Sequence, residues 1–253
     1  MLRGLAGLVA AVAVVALGAP APAAHSGHPL TTRATDPSYV ARLFGAEVRR
    51  MPTSRPVVAL TFNAAWDETG LDTVLDVLRR RNVPATFFLT GEFAERHPGA
   101  ARAMAAEHGI GNHSYSHPLF DRLTRAEAAA EVLRADRAIR TATGAVPLPF
   151  FRFPFSATTP RGIADVNALG FADIEFTADT NGYLGTARSM SVEKAVARAV
   201  DALRPGEIVQ MHVGADGDVP GLDAEALPRV DAVRARGYRI TDPRTLLGTA
   251  PPS

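Results

Sequence analysis

His113-Ser114-Tyr115-Ser116-His117 sets two imidazoles four residues apart. One helical turn would aim both at a single point, as zinc or a similar divalent ion requires. Pro118 biases His117 out of helix, so the turn should stop there. Two unrelated histidines in a polar loop are the alternative, and the Gly111-Asn112 lead-in after an expected strand favours the metal. His212 closes the apolar run Ile208-Val209-Gln210-Met211. An imidazole leaving a buried strand is either a satisfied core residue or a proton donor at a pocket, and beside a metal site it suits proton transfer near neutral pH. Arg152 lies inside Phe150-Phe151-Arg152-Phe153-Pro154-Phe155, where an unpaired guanidinium is too costly to bury. It must find an acceptor, either a structural ion-pair partner or a catalytic carboxylate, and the aromatics around it suit a core or a sugar-facing wall. Trp66, the only tryptophan, and Tyr183 suit either stacking on a ligand or packing.

These side chains need elements to hold them. Beyond Pro56 short apolar runs alternate with segments of helical period, the pattern of repeated strand and helix units around a mostly parallel sheet. The expected strands are Val57 to Phe62, Ala85 to Leu89, Ile110 to Asn112, Phe150 to Phe153, Ala172 to Phe176, Glu207 to His212 and Tyr238 to Ile240. Seven is one short of a complete eight-fold barrel. Thr124 and Glu127 form a capping box for a helix that Gly144 closes. Other helices are expected over Leu71 to Arg81, Ala100 to Glu107, Arg161 to Leu169, Ser191 to Leu203 and Asp223 to Arg236. From His25 to about Arg55 the chain reads as an irregular strap broken by Pro29, Pro37 and Pro52, with a short helix expected only from Tyr39 to Val48. In such folds chemistry gathers where strands end. Asn63, Trp66 and Asp67 follow the first strand, His113 and His117 the third, Arg152 the fourth and Asp179 the fifth, while His212 ends the sixth.

Composition bounds the classes. With 253 residues, 47% apolar and 21% charged, the chain resembles an ordinary globular domain rather than a disordered or fibrous one. Arg3, the apolar run Leu5 to Leu17, and the small residues Ala21, Ala23 and Ala24 after Pro20 form a secretory signal over 1–24, with a mature start near Ala24 or His25. A span would need about 20 apolar residues, and this run meets Gly18 and Pro20 too early. The expectation is a secreted or cell-wall-associated protein without a membrane span after cleavage. Cysteine is absent, so no disulfide supports the fold. Loss of Arg3 takes Lys+Arg from 27 to 26 against 26 Asp+Glu, a near-zero balance that argues against a nucleic-acid partner.

From Val57 to about Leu247 the chain resembles the polysaccharide deacetylase (NodB-like) family of carbohydrate esterases, which includes chitin, chitooligosaccharide and peptidoglycan deacetylases. The resemblance rests on Ala59-Leu60-Thr61-Phe62-Asn63, Ala85-Thr86-Phe87-Phe88-Leu89, Gly109 to His117, Arg152-Phe153-Pro154-Phe155, Asp179-Thr180 and Ile208 to His212. It implies a distorted seven-stranded (β/α) barrel in one α/β domain, at 56–248 after the signal and the strap. It also implies a divalent ion, zinc by expectation, held by one aspartate with His113 and His117. Metal-bound water would attack an acetamide carbonyl, an aspartate would take its proton, His212 would protonate the departing amine and Arg152 would orient the base. The implied partner is an N-acetylated glycan, peptidoglycan or chitin-like; oligomeric state stays open.

Two departures follow. Where the family carries Thr-Phe-Asp-Asp-Gly, with base then metal ligand, this chain reads Thr61-Phe62-Asn63-Ala64-Ala65-Trp66. An amide at Asn63 accepts no proton at useful pH, and Ala64 ligates nothing. Asp67 and Glu68 lie close enough for a turn to return a carboxylate to the site, at up to about 3.6 Å per residue, and Asp67 is the expected third ligand. Where the family often has Asp-Trp, Gly182-Tyr183 stands here, with Asp179 upstream as a remaining catalytic carboxylate. The expected function is removal of acetyl groups from N-acetylated amino sugars. The alternative is a NodB-like glycan-binding protein that has kept the groove and lost the base.

Overall fold

The computed structural model describes residues 42–215 and 221–247, and the expected signal lies outside them, as does most of the strap. Among the described residues nine strands join one parallel sheet. They are β1 (Glu47–Val48), β2 (Val57–Ala64), β3 (Ala85–Leu89), β4 (Gly109–Asn112), β5 (Phe150–Phe151), β6 (Ala172–Ile174), β7 (Ala178–Asp179), β8 (Glu207–Val213) and β9 (Arg239–Thr241). The order is β1-β6-β5-β4-β3-β2-β8-β7, with β9 on β2. All the expected strands are present, and the α/β class and curled barrel architecture hold. The additions are β1 and β7, each two residues long, too short to show a period.

The strap is not irregular throughout. From Leu43 onward it packs into the body, and the helix expected to reach Val48 gives way to β1, which runs parallel to β6. Beside it Arg50 bridges Glu207 and the Met51 amide donates to the Gly206 carbonyl at 2.7 Å, drawing the open side of the sheet together. Gly206 is required there: its φ is +80° and a Cβ would lie 2.1 Å from the Met51 carbonyl oxygen.

Helices cover the outer face. Arg125–Thr143 carries the expected Thr124/Glu127 capping box and ends at left-handed Gly144. Leu71–Arg80, Pro98–Glu107, Pro160–Ala168 and Val192–Asp201 follow their expected spans closely. Gly91–Arg96 is an unanticipated short helix capped by Thr90. The helix expected over Asp223 to Arg236 is broken into Asp223–Ala226, a 3₁₀ turn Leu227–Val230 and Asp231–Ala235, because Pro228 has no N–H to continue it. No described helix is long and apolar enough to cross a membrane.

Strand alternation divides the interior. Val58, Leu60, Phe62 and Ala64 pack outward with Val209, Met211 and the helices. The alternate residues of β2 face inward. Val57 and Ala59 join Phe88, Phe150 and Ile208 in an apolar floor, and Thr61 and Asn63 stand above it, paired in register with Gln210 and His212 of β8. The change from apolar to polar along one face of one strand is what places chemistry at the strand ends.

Candidate active site

Above that floor lies a cleft of about 440 Å³ lined by Asn63, Trp66, His113, His117, Phe155, Asp179, Tyr183, Gln210 and His212 among others. Its base is a layer organised by Arg152, whose side chain is fully buried. Arg152 Nε donates to the Ile174 carbonyl at 3.0 Å, NH1 to Asn63 Oδ1 at 3.0 Å and Gln210 Oε1 at 3.3 Å, and NH2 to Thr61 Oγ1 at 3.0 Å. The guanidinium also lies 4.0 Å from the centre of the Phe88 ring. Burial pulls it down to about 10, which leaves it charged at neutral pH. Asp173 and Glu175 lie close enough to favour its charged form, and burial pushes both carboxyls above their usual range. The acceptor that Arg152 needs in the cleft is thus an amide, Asn63, and not the carboxylate of the family pattern.

The histidine loop is not the helical turn that the spacing suggests. Residues 113–117 are irregular, and Ser114 and His117 sit at φ +67° and +61°. These left-handed residues still bring the rings together, edge to face with centroids 4.8 Å apart. Side chains satisfy the loop's amides: Asn112 Oδ1 accepts from Ser114 N, and Glu131 Oε2 accepts from Tyr115 N and Ser116 N at 2.9 and 2.8 Å. Glu131 was not singled out from sequence, although an irregular buried loop must find acceptors for its N–H groups somewhere. His113 Nδ1 lies 2.9 Å from the Arg152 carbonyl, so it carries the proton and Nε2 keeps a lone pair,. That Nε2 is buried with no protein partner. Burial, then repulsion from His117, holds His113 well below the usual imidazole range, and burial, then His212, brings His117 to about 4.

His212, next to last in β8, has its backbone N–H donating to Asp223 Oδ2 at 2.8 Å and its Nδ1 3.8 Å from the same oxygen. Asp223 needs Gly182, since a Cβ there would lie 2.2 Å from Asp223 Oδ1, so glycine at this divergent position is a packing requirement. Trp66 lies 6.2 Å from Tyr183 and 6.3 Å from His212 between ring centres. Across the cleft Phe155 packs edge-on to His117 at 4.6 Å, yet is 65% exposed and held at φ +59°.

The fold therefore gathers Asn63, His113, His117, Asp179, His212, Trp66 and Tyr183 around one space, with Arg152 beneath. It does not bring Asp67 or Glu68. Asp67 accepts from Thr69 N at 2.7 Å and Ala215 N at 3.4 Å, tying two loops together, and Glu68 faces His97. A resident divalent ion would need a third donor beside the two neutral imidazoles. Asn63 Oδ1 is taken by Arg152, Ala64 has none, and Asp179 accepts from Asn181 N and Gln210. No three His, Asp or Glu side chains converge on one point among the described residues. The donor set does not fit the metal that the resemblance implies.

A family model described as polysaccharide deacetylase matches residues 50–174. A chitooligosaccharide deacetylase of Bradyrhizobium sp. (strain ANU 289) is 36% identical over 187 residues, 72% of this chain and 82% of its own length. The chain belongs to the polysaccharide deacetylase family. A Bacillus cereus peptidoglycan-N-acetylglucosamine deacetylase is 27% identical over 191 residues, covering 75% of this chain and 67% of that protein. Among solved structures, a family 4 carbohydrate esterase pseudoenzyme of Bacillus anthracis superposes with TM-score 0.72 at 26% identity, over 81% of this chain and 70% of that one. A mutant of it with restored enzymatic activity superposes equally well, at TM-score 0.72. A peptidoglycan N-acetylglucosamine deacetylase gives TM-score 0.73 at 26% identity, over 85% of this chain and 98% of that one. Active and inactive sites thus occur on this same fold.

Proposed function

We propose that this chain is a hydrolase acting on carbon–nitrogen bonds other than peptide bonds, removing acetyl groups from N-acetylated amino sugars of a cell-wall or other extracellular glycan. The observation that carries the reading is the convergence of His113, His117, His212 and Asp179 on one open cleft. Trp66, Tyr183 and Phe155 give it flat walls suited to the faces of sugar rings. Asp179 is the one carboxylate among the described residues lining that space. In this proposal Asp179 takes a proton from water as the water oxygen bonds to the acetamide carbon. His212 gives a proton to the nitrogen as the carbon–nitrogen bond breaks, leaving acetate and a free amine. Chitooligosaccharide and peptidoglycan, named for the relatives, are the substrates to try first. Export through the signal at 1–24 belongs to the same reading, and mass spectrometry of exported protein should find a start near Ala24 or His25.

A second reading, a glycan-binding protein without turnover, is favoured by one observation: Asn63 occupies the base position with its oxygen already on Arg152. Acetate release from N-acetylglucosamine oligomers and from peptidoglycan, with and without added zinc, is measured beside calorimetric binding of the same oligomers. Release above a His212→Ala control supports the hydrolase. Binding without release supports the second reading, and neither binding nor release overturns both.

A further inference from the structure

Arg152 and Asp179 are joined through two side-chain amides. Arg152 NH1 donates to Asn63 Oδ1 at 3.0 Å, Asn63 Nδ2 donates to Gln210 Oε1 at 2.9 Å, and Gln210 Nε2 donates to Asp179 Oδ2 at 2.8 Å. Each end has a single polarity, since a guanidinium has no acceptor and an ionised carboxylate has no donor. Those ends fix which way both amides face. The additional approach of Arg152 NH1 to Gln210 Oε1, at 3.3 Å, points the same way.

We propose that Gln210 is a positioning residue that fits this cleft to an amide at position 63, so that a carboxyl placed there by Asn63→Asp keeps its proton. An ionised carboxylate at 63 would set an oxygen against Gln210 Oε1, acceptor against acceptor. Turning the Gln210 amide over moves the same conflict to Asp179. Protonation removes it: the O–H donates to Gln210 Oε1 where Asn63 Nδ2 donates now, and Arg152 keeps its acceptor. The charged and titratable groups around position 63 are Arg152 beneath it, Asp179 at the end of β7, His212 on β8, His113 and His117 on the loop after β4, and Tyr183 and Arg188 on the cleft wall, with Asp173 and Glu175 behind Arg152. None of these groups is itself substituted when only residue 210 is changed.

The test compares full-length Asn63→Asp with Asn63→Asp/Gln210→Met, using Gln210→Met alone as control. Methionine keeps the length of the side chain and removes both donor and acceptor. Folding is checked by near-UV circular dichroism, and the aspartate carboxyls are titrated by carbon-13 NMR. The expected result is that the pair formed by residue 63 and Asp179 takes up its first proton about one pH unit higher with Gln210 than with methionine, about tenfold in proton affinity. Should the methionine variant not fold, Gln210→Leu takes its place in the same comparison. Indistinguishable titrations overturn the proposal whatever the activity. A second arm rests on the deacetylase reading, with an ionised carboxyl at 63 taking the place of Asp179 as base: acetate release near pH 7 should be about tenfold higher in the double variant, where more of that carboxyl is ionised. A titration difference without acetate release upholds the role of Gln210 and counts against the deacetylase reading.

Discussion

Replacing Arg152 with methionine tests the idea that one buried cation organises the cleft. The side chain is fully buried and donates to Asn63, Gln210, Thr61 and the Ile174 carbonyl. Methionine reaches only as far as Nε, so the space of the guanidinium head is left as well and adds a cavity term. What remains is a set of acceptors without their donor and two carboxyls, Asp173 and Glu175, without their cation. Leaving buried acceptors without their donor costs about 1–3 kcal/mol each, a large part of the roughly 5–15 kcal/mol that holds a domain together. Urea unfolding supplies the measurement, with Trp66 fluorescence reporting the cleft and far-UV circular dichroism the whole fold. The loss should also depend on pH. Both carboxyls are pushed up by burial and held back by Arg152, so without the cation they rise further. Stability then falls more steeply as pH increases, and the difference between the proteins should be larger at pH 8 than at pH 5. A difference below about 1 kcal/mol, the scale of one ordinary hydrogen bond, or one unchanged between those pH values, would refute the reasoning.

Other outcomes follow from the same geometry. His113 and His117 are depressed, so unfolding binds protons there and stability should fall as pH drops below about 6.5, by up to about 1.4 kcal/mol per unit for each group titrating; urea midpoints across pH 4 to 8 would reveal it. Glu131→Ala should leave the fold intact but speed hydrogen exchange at the Tyr115 and Ser116 amides, by about tenfold for each 1.4 kcal/mol of protection lost. Phe155→Ala should weaken oligosaccharide binding by about two- to tenfold, the range of an aromatic contact, with little effect on thermal stability because the ring is exposed. Dialysis against a chelator should leave the melting temperature unchanged, since the fold's buried polar layer is built on Arg152; a fall of several degrees would mean that a metal supports this structure.

Much of the fold was legible along the chain because its signals are local. The Thr124–Glu127 box, the closing Gly144 and the apolar runs of β2, β3 and β8 act over a few residues, and the structure keeps them. Residue types alone also established that position 63 is an amide, that Ala64 offers no ligand and that Arg152 must find an acceptor. Which acceptor it finds was beyond sequence, because Asn63, Thr61 and Gln210 reach Arg152 across separations of 89, 91 and 58 residues. Asp67 shows the opposite limit. Its nearness in sequence made it a metal-ligand candidate, yet the backbone amides of Thr69 and Ala215 claim its oxygens. The same holds for the histidine loop, where spacing suggested a helical turn and left-handed Ser114 and His117, with Glu131 accepting from the loop amides, bring the rings together instead. Side-chain identity is written in the sequence, whereas the partner that satisfies each buried polar atom is chosen by the packing of strands far apart in it.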